Sequence, residues 1–165
     1  MLRWVLLLAL CATCGGAGKQ KKVKPGPKPS LARGWGGSLK WARSYEHALA
    51  KMVQSQKPLM VIHHKEECRF SQALKKAFAD EQSIQEMAKD FIMLNLLVKK
   101  EETPDPNLAP DGYYVPRILF VDPSMTVRTD IRGKYSNRQY AYEPGDMADL
   151  LKSMKKAKVL IHTEL

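Results

Sequence analysis

Two short apolar runs, Leu59-Met60-Val61-Ile62 and Phe91 to Val98, do most to limit the folds open to this chain. Both read as strands buried on both faces, because neither alternates an apolar with a polar side over its length. Helical sequence separates them. After Cys68 it carries Phe70, Leu74, Ala77 and Phe78 on one side, and Ser83-Ile84-Gln85-Glu86 reads as a capping box that opens a second short helix. Two strands joined by a helical crossover must run parallel.

The flanking segments complete the order. Upstream, Ser44 can cap a helix with Tyr45, Ala48, Leu49, Met52 and Val53 on its apolar face, ending before Pro58. Downstream, residues 99–114 form a proline-containing loop. Ile118 to Val121 and Val127 to Ile131 then read as two antiparallel strands joined at Asp122-Pro123-Ser124. A last helix starts near Asp146, with Met147, Leu150, Leu151, Met154, Ala157, Leu160 and Ile161 at helical spacing. Strand, helix, strand, loop, strand, strand, helix is the order of the thioredoxin core. The expected fold class is therefore α/β: one thioredoxin-like domain over 33–165, with a central mixed sheet flanked by helices.

That order puts Cys68 between the first central strand and the opening of a helix. There the unpaired backbone N–H groups and the helix dipole favour a thiolate. The motif is Cys68-Arg69-Phe70-Ser71, so a serine stands where thiol-disulfide oxidoreductases keep a second cysteine. A lone thiolate can attack a disulfide, but Ser71 cannot resolve the product. Arg69, Lys65, His63 and His64 are expected to favour the thiolate, with Glu66 and Glu67 opposing. No acid lies within Leu59 to His64, and Ile62 occupies the position six before the cysteine where redox-active relatives of this fold commonly bury a carboxylate. Enzymatic activity is left open: at most a weak disulfide isomerase, without efficient oxidase or reductase turnover. An inert buried thiol and an intermolecular disulfide are the competing readings of Cys68.

Both termini speak about location. Arg3, the apolar run from Trp4 and the small residues at 14–17 have the layout of a secretory signal peptide over 1–17, and its cleavage would remove Cys11 and Cys14. The chain ends His162-Thr163-Glu164-Leu165, a variant of a luminal retention signal. The formal net charge of +10 invites a nucleic-acid reading until it is located. Residues 1–44 hold nine basic residues and no acidic one, leaving 18 basic against 17 acidic beyond. The excess lies in the leader and in a Lys-, Pro- and Gly-rich stretch, 18–32, expected to be a disordered basic arm. A nucleic-acid partner is not expected of a secretory chain. No other apolar stretch is long enough for an integral membrane segment.

Several blocks carry a more specific resemblance: Leu59-Met60-Val61-Ile62-His63-His64, Ser71-Gln72-Ala73-Leu74-Lys75-Lys76, Tyr114-Val115-Pro116-Arg117-Ile118, Phe120-Val121-Asp122-Pro123-Ser124 and Tyr135-Ser136-Asn137-Arg138. Together they resemble the anterior gradient proteins of the protein disulfide isomerase superfamily, over about Leu31 to Leu165. The resemblance implies a thioredoxin-like folding factor of the endoplasmic reticulum with a Cys-x-x-Ser site at Cys68 and Ser71. It also implies secretory clients (mucins especially), a retention-signal receptor, self-association as a homodimer, and extracellular roles for some members. His162 departs from the family's usual lysine, which leaves a secreted signalling or adhesion ligand, with an extracellular receptor, as the alternative.

The fold also assigns the neighbours of Cys68. Val115-Pro116 sits where thioredoxin folds carry a cis proline, so Val115, Pro116 and Arg117 are the expected client-binding residues, with Arg117 on the groove rim. Adjacent His63 and His64 point to opposite faces of a strand, and one cysteine offers no second thiolate, so no metal site is expected. No cofactor is expected.

Overall fold

The structure, a computed structural model, describes residues 30–99 and 105–159. The first helix, α1 (Tyr45–Ser55), starts where Ser44 Oγ accepts the His47 N–H at 3.2 Å. Strand β1 (Leu59–His64) follows, then α2 (Arg69–Asp80), α3 (Gln82–Ala88) and β2 (Ile92–Leu97). Strand β3 (Arg117–Val121) and α4 (Met147–Lys158) close the order. The sheet runs β2-β1-β3, with β1 parallel to β2 and antiparallel to β3. It is a mixed three-stranded sheet flanked by helices, the thioredoxin-like arrangement.

Every residue of the central strand β1 is buried, which is why its sequence shows no polar alternation. Met60 and Ile62 face a core built with Trp35, Leu74, Phe78, Ile84, Leu150 and Met154, beneath α2, α3 and α4. Leu59 and Val61 face the other side, against Ala48, Met52, Leu94, Leu119 and Tyr140, beneath α1. Burying such a Leu or Ile side chain stabilises the fold by about 1.5–3 kcal/mol. The two-sided core fixes β1 as the axis from whose far end Cys68 projects.

Four details differ from the sequence reading. Val127 to Ile131 does not form a strand: Val127 makes a single antiparallel bridge to Val121. The chain turns immediately afterwards, with Thr129 N–H bonded to the Val127 carbonyl and Ile131 N–H to that of Arg128. Arg128 points inward rather than along a ladder, reaching Asp130 and the Val159 carbonyl. The capping box at Ser83 is not formed either. Glu81 is the N-cap of α3 and accepts from the Ser83 hydroxyl at 2.5 Å, while Gln85 donates to the carbonyls of Trp35 and Phe78.

Val53 and Phe70, expected on apolar inner faces, are 42% and 57% exposed. The ordered domain also reaches further upstream than residue 33. Ala32 is buried, and Asn95 of β2 donates to the Leu31 carbonyl at 2.7 Å while accepting from Arg33 at 2.8 Å. The expected leader 1–17, most of the basic arm, Leu160, Ile161 and the tail at His162, Thr163, Glu164 and Leu165 lie outside the described residues. No helix among the described residues is long and apolar enough to cross a membrane.

Candidate functional site

Strand β1 ends at His64, and a tight turn delivers the chain to Cys68, whose N–H bonds to the Lys65 carbonyl at 3.3 Å. Cys68 is the N-cap of α2, with extended backbone (φ −85°, ψ 112°) and a carbonyl that accepts the first helical bond from Gln72. Gln72 also returns its side-chain amide to the Glu66 carbonyl at 2.6 Å, bracing the turn. The thiol is free and partly exposed. Ser71, 1% exposed, accepts the Lys65 N–H at 3.2 Å and turns its hydroxyl toward the sulfur. The residue in the resolving position is thus a buried hydroxyl that organises the turn.

Partial burial by itself raises the Cys68 pKa, but the surroundings outweigh it. The Ser71 amide and hydroxyl, the Phe70 amide and the Lys65 charge together hold the thiol below its ordinary value. The sulfur makes no capping hydrogen bond of ordinary length, so these donors act at longer range, as aligned helix-terminus dipoles do. Two expected helpers do not contribute charge. His63 and His64 are 3% and 1% exposed, and burial pushes their pKa values down to about 3 and about 4. Both rings are neutral at physiological pH. His64 packs edge-on against Trp35 at 5.4 Å. Arg69 lies over the Phe70 ring at 4.8 Å. Among the described residues no group of three or more His, Cys, Asp or Glu side chains could hold a metal.

The Val115-Pro116 peptide bond is cis. Val115 and Pro116 line a cleft of about 400 Å³ with Phe70, Tyr114, Tyr142 and Pro144. Arg138 and Glu143 add one charge of each sign to its walls. Cys68 is not in the cleft wall, but Phe70, two residues along, is. Sequence reasoning placed Phe70 in the core, although Ser71, Leu74 and Phe78 at spacing i, i+3, i+7 mark the buried face of α2 and leave Phe70 beside it. Tyr114 and Arg138 entered the sequence reading only as parts of resembling blocks, and Tyr142 and Glu143 not at all; their meeting depends on how the 111–116 and 138–144 loops pack, which no local pattern states.

Arg117 departs from its expected place on a groove rim. It is 1% exposed, the second residue of a register pair with His63, and its Nη1 donates to the Gly112 carbonyl at 2.5 Å. Its guanidinium lies 5.7 Å from the Tyr114 ring, and Arg138 stands 5.9 Å from the same ring. The Tyr114 hydroxyl donates to Asp111 at 2.7 Å and accepts the Tyr140 N–H. Burial first, then this bond to Asp111, raises the phenol's pKa well above its ordinary value. Arg117 therefore anchors the loop that carries Val115 and Pro116 from beneath, and cannot itself meet a ligand's surface.

Residues 40–123 match the family model described as thioredoxin-like. The human "Anterior gradient protein 2 homolog" is 53% identical, over 98% of this chain and 95% of its own length. Human "Anterior gradient protein 3" is 54% identical over 98% and 94%, and "Anterior gradient protein 2-B" of Xenopus laevis 49% over 97% and 96%. The chain belongs to the anterior gradient family. Among solved structures, this anterior gradient protein superposes on a thioredoxin from Thermus thermophilus with a TM-score of 0.53 and 21% identity, covering 74% of this chain and 88% of that one. The "DsbH Oxidoreductase" gives 0.50 at 13%, covering 84% and 94%. At such identities the two structures speak for the fold alone. They place this anterior gradient protein among thioredoxin-like folds.

Proposed function

We propose that the protein is a luminal folding factor of the endoplasmic reticulum that binds secretory clients, mucin-like ones among them, beside Cys68. The observation that carries this reading is the partly exposed, thiolate-favouring Cys68 at the opening of α2, one turn from an apolar cleft. The client's chain lies along the cleft, with Val115, Pro116 and Phe70 as its apolar contacts. The Cys68 thiolate attacks one sulfur of a client disulfide. One S–S bond breaks, a mixed S–S bond forms, and the other client sulfur leaves as a thiolate, so no outside oxidant is needed. With Ser71 in the resolving position, such a site supports weak isomerase action at most.

The remaining assignments belong to the same proposal: a leader over 1–17, a basic arm from 18 that ends where Leu31 and Ala32 join the domain, a domain continuing to 165, and retention through His162, Thr163, Glu164 and Leu165 by a receptor that grips a carboxyl terminus. Self-association as a homodimer is included, as are the absence of cofactor and of nucleic-acid partner. A second reading, a secreted signalling or adhesion ligand with an extracellular receptor, is favoured by His162 standing where the retention signal usually has lysine.

The test is expression in secretory cells, followed by non-reducing gels and identification of disulfide-linked partners. Adducts should vanish in Cys68→Ala, and Ser71→Cys should increase insulin reduction by the purified protein. Adducts that persist without Cys68, or turnover by the natural protein equal to that of a two-cysteine thioredoxin, would sink the proposal. Deleting residues 162–165 distinguishes the two locations: a retained protein should spill into the medium, whereas a secreted one should not change.

A further inference from the structure

A second cleft, of about 390 Å³, opens on the described surface well away from Cys68. Its floor includes Leu39, Phe91 and Met93, and Lys40, Lys51, Lys57 and Lys89 stand around it. Leu59 pairs with Ile92 at the start of the parallel ladder, so the cleft lies at the amino-terminal end of β1, whereas Cys68 follows the carboxyl-terminal end. No lining residue is acidic.

Lysines without a carboxylate occur elsewhere among the described residues, at Lys65, Lys75 and Lys155, but here three of them share one rim. Lys76, Lys134, Lys152, Lys156 and Lys158 each hold a carboxylate. Among the described residues, Lys40, Lys51 and Lys57 hold none. Lys57 is fixed at the mouth by donating to the Lys89 carbonyl at 3.3 Å. The neighbouring carboxylates are occupied: Glu86 binds Lys89 at 2.7 Å, and Asp90 binds Lys158 at 2.5 Å. His47, one turn from Lys51 on α1, senses the same excess of cations. After desolvation, the charges of Lys51 and Arg43 hold its pKa below the ordinary value.

We propose that this cleft binds an acidic peptide segment, with an apolar side chain on its floor and flanking carboxylates against the lysine rim. Ammonium groups without partners attract carboxylates and repel basic segments. The floor decides between anionic partners. Ile92 is partly exposed, and Leu39 and Phe91 keep 7% and 5% of their surface, an apolar strip set between the lysines that an inserted side chain meets and a bilayer surface does not. A sulfated polysaccharide offers no apolar group to such a floor. The site uses neither Cys68 nor the cleft at Pro116, so it is independent of the thiol chemistry proposed above.

The experiment measures anisotropy of a fluorescent hexapeptide, Glu-Asp-Leu-Phe-Asp-Glu, with the full chain. Saturable binding is expected, unchanged in Cys68→Ala. It should fall by about tenfold or more in the triple variant K40E/K51E/K57E, since three attractive contacts become repulsive. The three lysines are at the surface, so the variant should keep its melting temperature, which is checked alongside. A control of equal charge change on other faces, K75E/K76E/K155E, should lose no more than about threefold through long-range screening alone. Equal loss in both triples would mean a diffuse field and overturn the site. So would equal binding of a peptide with Ser-Gly in place of Leu-Phe, which would leave the floor unused. Binding of a heparin oligosaccharide or phosphatidylserine vesicles that depends on the three lysines, with none for the peptide, would reassign the cleft to that anion and overturn the peptide proposal.

Discussion

Single residues decide how much charge surrounds the candidate thiol. The two histidines just before it are neutral because burial, the first cause for both, outweighs what their neighbours do: Arg117 lowers the His63 pKa further, while Asn95 partly restores that of His64. In an unfolded chain each would protonate near pH 6.5. As pH falls below about 6.5 the unfolded state takes up protons that the folded state refuses, down to about pH 4 for His64 and about pH 3 for His63. Their contribution to stability is therefore complete above pH 6.5 and declines by about 1.4 kcal/mol per pH unit per histidine below it. Urea unfolding at pH 7.5, 6 and 5 should show that decline before any carboxylate titrates. Replacing either histidine by Gln should flatten the slope; an unchanged slope would mean that the rings are not held neutral. At Ser71 the expected outcome concerns the thiol. Ser71→Ala removes the hydroxyl that favours the thiolate, so the Cys68 pKa should rise, seen as a shift of the thiolate's ultraviolet absorbance to higher pH. Loss of the bond to the Lys65 amide should cost about 1 kcal/mol besides.

Between elements, Arg128 makes a junction outside the sheet ladders. Its guanidinium is 6% exposed and stands 3.7 Å from Asp122. It also bonds to Asp130 at 2.8 Å and caps the Val159 carbonyl at the end of α4 at 3.1 Å. Arg128→Ala should destabilise by about 2–3 kcal/mol, because the buried Asp122 loses a nearby cation and the Val159 carbonyl its donor. A midpoint in urea within experimental error of the parent would refute that role. The same residue explains where sequence reasoning stopped. Val127 to Ile131 is rich in β-branched residues, and the pattern reads as a strand, but pairing ends once Arg128 turns inward. Runs such as Leu59 to Ile62 were legible because burial on both faces leaves only apolar residues. The α4 periodicity was legible for a similar reason. The destinations of Arg117 and Phe70 were not, since a cation on a strand and an aromatic in a first helical turn are each compatible with exposure or burial.

On the scale of the whole molecule, the segment before α1 is an integral wall of the domain although it contains no helix or strand. Trp35 is fully buried between His64 and Phe78, with both rings edge-on to it. Its indole joins β1 to α2 directly behind the turn that bears Cys68. Trp35→Ala should cost about 3–5 kcal/mol and lower the melting temperature by roughly 10 °C. A shift of only a degree or two by circular dichroism would show that the wall is dispensable. Nothing in the glycine-rich sequence around Trp35 announces this role. The element order led to the thioredoxin-like sheet, and it is the segment outside that order that closes one side of it.

The direction of β1 has a metric consequence. Its six residues separate the thiol end of the sheet from the lysine end, a span of roughly 20 Å at about 3.3 Å per residue. A polypeptide touching both ends at once must stretch at least six residues between its cysteine and its acidic patch. The strand thus acts as a ruler: partners with those two features spaced more closely can engage one end or the other, and only those spaced widely enough gain the added avidity of both.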